Sequence, residues 1–262
     1  ISACLVGSEM CIRDRFLMAG ELLVGCKQDR MVSYDCLLPP QSGKLRLRVY
    51  CTEHGRWTPE SGHFKSSGES VHIQMRQLAK ATKSQDRVWA EVEEKRAELR
   101  VPASETQAFR KVVEDREVQK EIKPYLDELG RVPYLGRDIC GVAVAVNDRI
   151  LVSDLFGSPE LFEKLWAKLL RSYVLDVIGQ PAGTGSVSAQ EVESFLENAL
   201  RAQYRRGETD GVGIALEMES RPAFGSALVY QSNVVHLDLF PRERIPLRQA
   251  PLDLDYRRQR LD

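Results

Sequence analysis

Between Ser84 and Gly130, 21 of 47 residues are charged, 12 acidic and 9 basic. Apolar Val88, Trp89, Val92, Leu99, Phe109, Val112 and Val113 are spread among them. Such a stretch reads as helices with one face in water. Ser104-Glu105-Thr106-Gln107 fits a capping box that opens one of them. The regions on either side follow a different period.

Before the charged middle the pattern is that of strands. Val32, Tyr34, Cys36 and Leu38 alternate with polar neighbours until Pro39-Pro40-Gln41-Ser42-Gly43 breaks the run. Leu45, Leu47, Val49 and Cys51 form a second period-2 face, with Arg46, Arg48 and Tyr50 opposite. The Gly- and Ser-rich stretch from Ser61 to Ser70 is expected to be a surface loop. After the middle, Ile139–Val146 and Arg149–Ser153 flank Asn147-Asp148, a step suited to a type I′ hairpin. Ser158 and Pro159 then open a helix whose Phe162, Leu165, Trp166, Leu169, Tyr173, Val174 and Val177 mark it as a core helix, stopped by Gly179 and Pro181. Ser188-Ala189-Gln190-Glu191 caps a second helix. Gly225–Tyr230 and Val234–Phe240 read as a final hairpin around Gln231-Ser232-Asn233. The fold class is α+β: a β-rich N-terminal part, central charged helices, and C-terminal strands with one buried core helix.

Composition bounds the function without naming it. The 262 residues carry 37 Lys+Arg against 38 Asp+Glu, a net charge of −1, which argues against a nucleic-acid-gripping protein. The longest uncharged apolar run, Ile139 to Val146, falls far short of the roughly 20 residues that cross a bilayer. Residues 1–15 lack the layout of a secretory signal and resemble sequencing-adapter read-through, so they are set aside as a non-native leader. That leaves a domain over 16–240, truncated at its start, and an Arg- and Pro-rich, weakly ordered tail over 241–262. Cys26, Cys36, Cys51 and Cys140 form no CxxC pair, so no metal and no redox motif is expected; reduced thiols suit the cytoplasm.

Two polar clusters end apolar strand patterns: Gly20–Arg30 and Cys51–Trp57. Alternation through Cys51 aims Glu53 at the apolar side, where Lys27, Arg30 or Arg56 would have to pair with it. Such groups suit acid/base work or capture of an anion, or else form a structural ion-pair network bracing two loops. Cys51 with His54, and His236 with Asp238 on one strand face, are lesser candidates. Gly183-Thr184-Gly185-Ser186 lacks the ending of a P-loop.

These clusters also carry a resemblance. GELLVGCKQDR (20–30) and CTEHGRW (51–57), with VWAEV at 88–92, the 154–173 run DLFGSPELFEKLWAKLLRSY and VVHLDLF at 234–240, resemble the ARG- and rhodanese-phosphatase-superfamily-associated protein domain, an uncharacterised bacterial family. The resemblance implies a tie to NAD or ADP-ribose metabolism by association with ADP-ribosylglycohydrolases, and brings no reaction or cofactor. Carried over, it marks Glu21, Lys27, Gln28, Arg30, Glu53, Arg56, Trp57 and His236. On this reading Glu21 or Glu53 is a general acid/base; Lys27, Arg30 and Arg56 hold a phosphorylated metabolite; Trp57 stacks on its ring. Glu53→Gln would then leave stability near neutral and abolish binding. The alternative is a non-catalytic interaction or scaffold module whose polar clusters are structural.

Overall fold

The computed structural model describes residues 2–7, 15–56, 58–178, 180 and 183–242. Trp57, the helix stop at Gly179 and Pro181, and the tail from 243 onward lie outside the described residues. The N-terminal half runs β1 (Ser2–Gly7), β2 (Arg15–Leu17), β3 (Glu21–Gly25), β4 (Arg30–Val32), β5 (Cys36–Leu38), β6 (Lys44–Cys51) and β7 (Phe64–Ser70). Five of these form an antiparallel sheet in the order β1-β6-β4-β3-β7, while β2 pairs with β5. The period-2 face of β6 buries Leu47 and Val49 with Leu17, Leu23, Val32 and Leu38.

Two expectations are corrected here. The stretch from Ser61 to Ser70 is not a loop throughout, because β7 pairs with β3 from Glu21↔Ser70 to Gly25↔Phe64. All of β3 is buried, and its backbone groups need a partner whatever the side chains opposite. The alternating run from Val32 to Leu38 is also two strands, not one. It breaks at 33–35, where Asp35 turns inward and its carboxylate accepts a hydrogen bond from the Ala19 N–H at 2.8 Å.

The middle holds α1 (Ile73–Thr82), α2 (Gln85–Glu98), α3 (Phe109–Glu114) and α4 (Arg116–Leu129). Ser84 caps α2, accepting from the Arg87 N–H at 3.4 Å. Ser104 caps nothing. Gln107 takes φ +47, its N–H bonds the Ser104 carbonyl in a turn, and α3 starts only at Phe109. Tertiary pairing overrides the motif, since the His54 and Gly55 N–H groups both bond the Thr106 carbonyl.

The C-terminal half runs β8 (Gly141–Val146), β9 (Arg149–Phe156), α5 (Pro159–Val174), α6 (Ala189–Leu200), β10 (Gln203–Arg206), β11 (Ile214–Glu219), β12 (Ala223–Tyr230) and β13 (Asn233–Pro241). Its antiparallel sheet has the order β10-β11-β12-β13-β9-β8. The two hairpin turns differ from each other. Only Asn147 has positive φ in the first, so it is not type I′, whereas Gln231 (+49) and Ser232 (+65) both have it in the second. Ser158 caps α5 and a full capping box at Ser188 opens α6. One face of this sheet packs Ala227, Leu237 and Leu239 with Ala199 of α6. The other face contributes Phe156 and Phe240 to a large core with Met18, Leu22, Phe109 and α5, so both halves share one interior. A bridge between Leu37 and Val212 and an ion pair from Arg48 to Asp210 (2.7 Å) close the seam. No helix among the described residues is long and apolar enough to cross a membrane.

Candidate functional site

Strand register sets the main feature of the inner sheet face. Asp154 of β9 lies opposite Asp238 of β13, Asp238 opposite Ser226 of β12, Ser226 opposite Glu217 of β11, and Glu217 opposite Arg205 of β10. These residues form one row across five strands. Helix α1 and its cap lie over that row and present Arg76, Lys80 and Lys83, spaced i, i+4, i+7 and hence on one stripe. Arg76 holds Asp154 with two bonds of 2.7 and 2.9 Å, Lys80 holds both oxygens of Asp238 at 2.6 Å, and Lys83 meets Glu217 at 3.0 Å. Gly20 makes room for this: it has φ +91, and a Cβ there would come within 2.7 Å of the Arg76 side chain.

The deep end of the row is a closed charge network. His236 lies between Asp35 (Nδ1 to Oδ2, 2.6 Å) and Asp154 (Nε2 to Oδ1, 3.2 Å), with Phe156 stacked on its ring at 4.5 Å. Tyr173 donates its hydroxyl to Asp154 at 2.6 Å. Burial alone would lower the His236 pKa, but the two carboxylates outweigh it and push the pKa up to about 9. Burial would likewise raise Asp35 and Asp154, yet His236 with Lys80 holds Asp35, and Arg76 with His236 holds Asp154, below the usual carboxylate range. The buried end of the row thus sets the carboxyl groups of Asp35, Asp154 and Asp238 against Arg76, Lys80 and His236.

The outer end of the row opens into a cavity of about 560 Å³. Lys80, Asp35 and Ser226 line its inner part, together with Tyr34, Tyr50, Phe224 and Leu228. The Ser33 hydroxyl, also on the wall, is buried without a hydrogen-bond partner. At the mouth Arg205 pairs with Glu217 (2.7 Å) and Glu219 (3.6 Å), Lys83 with Glu217, and Arg242 with Glu219 at 3.3 Å. Three cations thus share two carboxylates. Glu208 is taken by Arg48 at 2.5 Å.

Of the described residues marked from the sequence, His236 lies at the deep end of this row and the others lie outside it. The two clusters do meet: Arg56 grips Glu53 (2.7 Å) and Asp29 (3.1 Å), and donates to the Cys26 carbonyl at 2.6 Å. The Asp29 N–H donates to Glu53 at 2.9 Å, Gln28 donates to the His54 carbonyl, and Arg30 donates to Gln28. Arg110 reaches Asp29 at 3.1 Å, and Lys27 is exposed. Burial raises the Asp29 pKa, with Arg110 opposing. Glu21 sits apart at the start of β3, bound to Lys168 and Ser66 at 2.6 Å each. His236 belongs to the buried network, and it does share a strand face with Asp238. Asp35, Arg76, Lys80, Asp154, Ser226 and the mouth residues went unmarked. The 76/80/83 spacing was a legible signal for part of them; Asp35 gave none. Among the described residues no cluster of three or more His, Cys, Asp or Glu is placed to hold a metal ion.

Comparison with known families matches residues 13–240 to ARPP-1, the ARG and Rhodanese-Phosphatase-superfamily-associated Protein domain. The chain belongs to this family. No curated protein and no solved structure matches it. The matched span includes the α1 stripe, the polar row, His236 and most of the cavity wall; Arg242 at the mouth lies just beyond it.

Proposed function

We propose that this ARPP-1 domain binds a small anionic metabolite in the cavity between α1 and the C-terminal sheet. The observation that carries this reading is the mouth, where, among the described residues, Lys83, Arg205 and Arg242 share Glu217 and Glu219 alone. Exposed ion pairs of this kind contribute little to stability, so a ligand phosphate or carboxylate can take over those donors at small cost. The volume falls in the range of small-molecule sites, with aromatic walls and a few convergent polar groups. Both oxygens of Asp35 are taken by the Ala19 N–H and His236, so on this wall it is the unpartnered Ser33 hydroxyl that can donate to a ligand. ADP-ribose and NAD, which the family's association with ARG proteins suggests, are the first members of that class to test. The free thiols of Cys26, Cys36 and Cys140 fit a reducing, cytoplasmic setting.

A specific observation favours a structural role for the other cluster. Every oxygen of Glu53 already accepts from Arg56 or the Asp29 N–H, which leaves that carboxyl little capacity for a ligand. We read the 26–30/51–56 joint as a brace. The test is a thermal-shift panel of ADP-ribose, NAD and inorganic phosphate on the wild type and on Ala215→Trp, which fills the cavity. A ligand at 100 times its Kd should add about 2.7 kcal/mol to wild-type stability. Loss of that shift in the filled variant supports the site; no shift with any ligand, or an equal shift in both proteins, overturns it.

A further inference from the structure

The two edges of the C-terminal sheet are unlike each other. β10 is Gln-Tyr-Arg-Arg, fully exposed, and its arginines guard it against strand addition. β8 is Gly-Val-Ala-Val-Ala-Val, without a charge, and none of its residues is buried. The Phe156 N–H bonds the Cys140 carbonyl, so alternate residues 140, 142 and 144 face β9. The register shift at Val144/Ala145 leaves Leu151 extra on β9 and β8 itself regular. Gly141, Ala143 and Ala145 therefore turn their N–H and C=O groups outward, and among the described residues these groups have no partner.

We propose that β8 pairs antiparallel with β8 of a second copy, joining the two sheets into one of twelve strands across a twofold axis at Ala143. In this register Ala143 faces its own mate, and Gly141 faces Ala145. Each outward residue then exchanges both of its backbone bonds, six in all, with none left over. Val142 meets Val144 on one face and only alanine and glycine meet on the other, so no like charges are brought together. The net charge of −1 does not oppose self-association. Strand pairing alone is a small contact; Tyr134 and Leu135, 66% and 77% exposed on the chain leading into β8, supply further apolar surface.

Light scattering on a sizing column, from about 1 to 100 µM, measures this directly. The wild type should shift from monomer to dimer, and the amides of 141, 143 and 145 should gain exchange protection as it does. Ala143→Lys sets two ammonium groups across the axis and should give a folded monomer. If that variant misfolds, Ala145→Lys at the strand end decides in the same way. Tyr204→Lys on the guarded edge should leave the dimer intact. A wild type that stays monomeric throughout, or a dimer that survives the β8 lysine, overturns the proposal.

Discussion

His236 has both nitrogens on carboxylates in the interior, and that makes its proton part of the fold. Its pKa rises from 6.5 in the unfolded chain to about 9, so its contribution is complete below pH 6.5 and is lost as pH climbs through 9. A shift of that size corresponds to about 3 kcal/mol. Glu91, pushed up to about 8 chiefly by burial, has the same sign between 4.5 and 8. Denaturant melts across pH 6.5–9 should show falling stability, and His236→Gln should flatten the part above pH 8; an unchanged slope there would refute the assignment. At Glu53 the proposed brace predicts the opposite of the outcome expected from the sequence. The carboxyl is 1% exposed and neutralises Arg56, so Glu53→Gln should cost about 3–5 kcal/mol by chemical denaturation, and a near-neutral result would remove the brace. Alternation along β6 made the inward aim of Glu53 legible. Nothing local marked Asp35, whose partners Ala19 and His236 lie 16 and 201 residues away.

Elements with a strong period or a complete cap were legible, and those fixed by distant partners were not. Helix α5, the box at Ser188 and the last hairpin follow from sequence because their determinants lie within a few residues. β7 is a strand because buried β3 needs a ladder, although its own Phe-Lys-Ser-Ser-Gly-Glu-Ser has no strand pattern. The same contrast separates two similar motifs. Ser188→Ala should cost about 1 kcal/mol, since it strips the cap from the Glu191 N–H, whereas Ser104→Ala should cost little because Ser104 caps no helix. Paired thermal melts check this, and equal losses at both positions would contradict it.

At the scale of the molecule, the two halves meet through a shared core, and the cavity lies where α1 and the N-terminal loop at 33–35 cover the C-terminal sheet. The α+β class was legible because strand and helix periods alternate in blocks along the chain. The cavity was not, because its wall comes from segments as far apart as Ser33 and Arg242, which only strand order and register bring together. Titration calorimetry with the ligand that gives the largest shift in the panel is the most direct measurement. It should compare the wild type, the pair Lys83→Met with Arg205→Met, and Glu53→Gln at a temperature where each is folded. Loss of two cationic contacts at the mouth should weaken binding by about 10- to 100-fold, while Glu53→Gln binds as the wild type does. Binding that survives at the mouth and disappears with Glu53→Gln would move the site to the joint between the two loops and contradict the account.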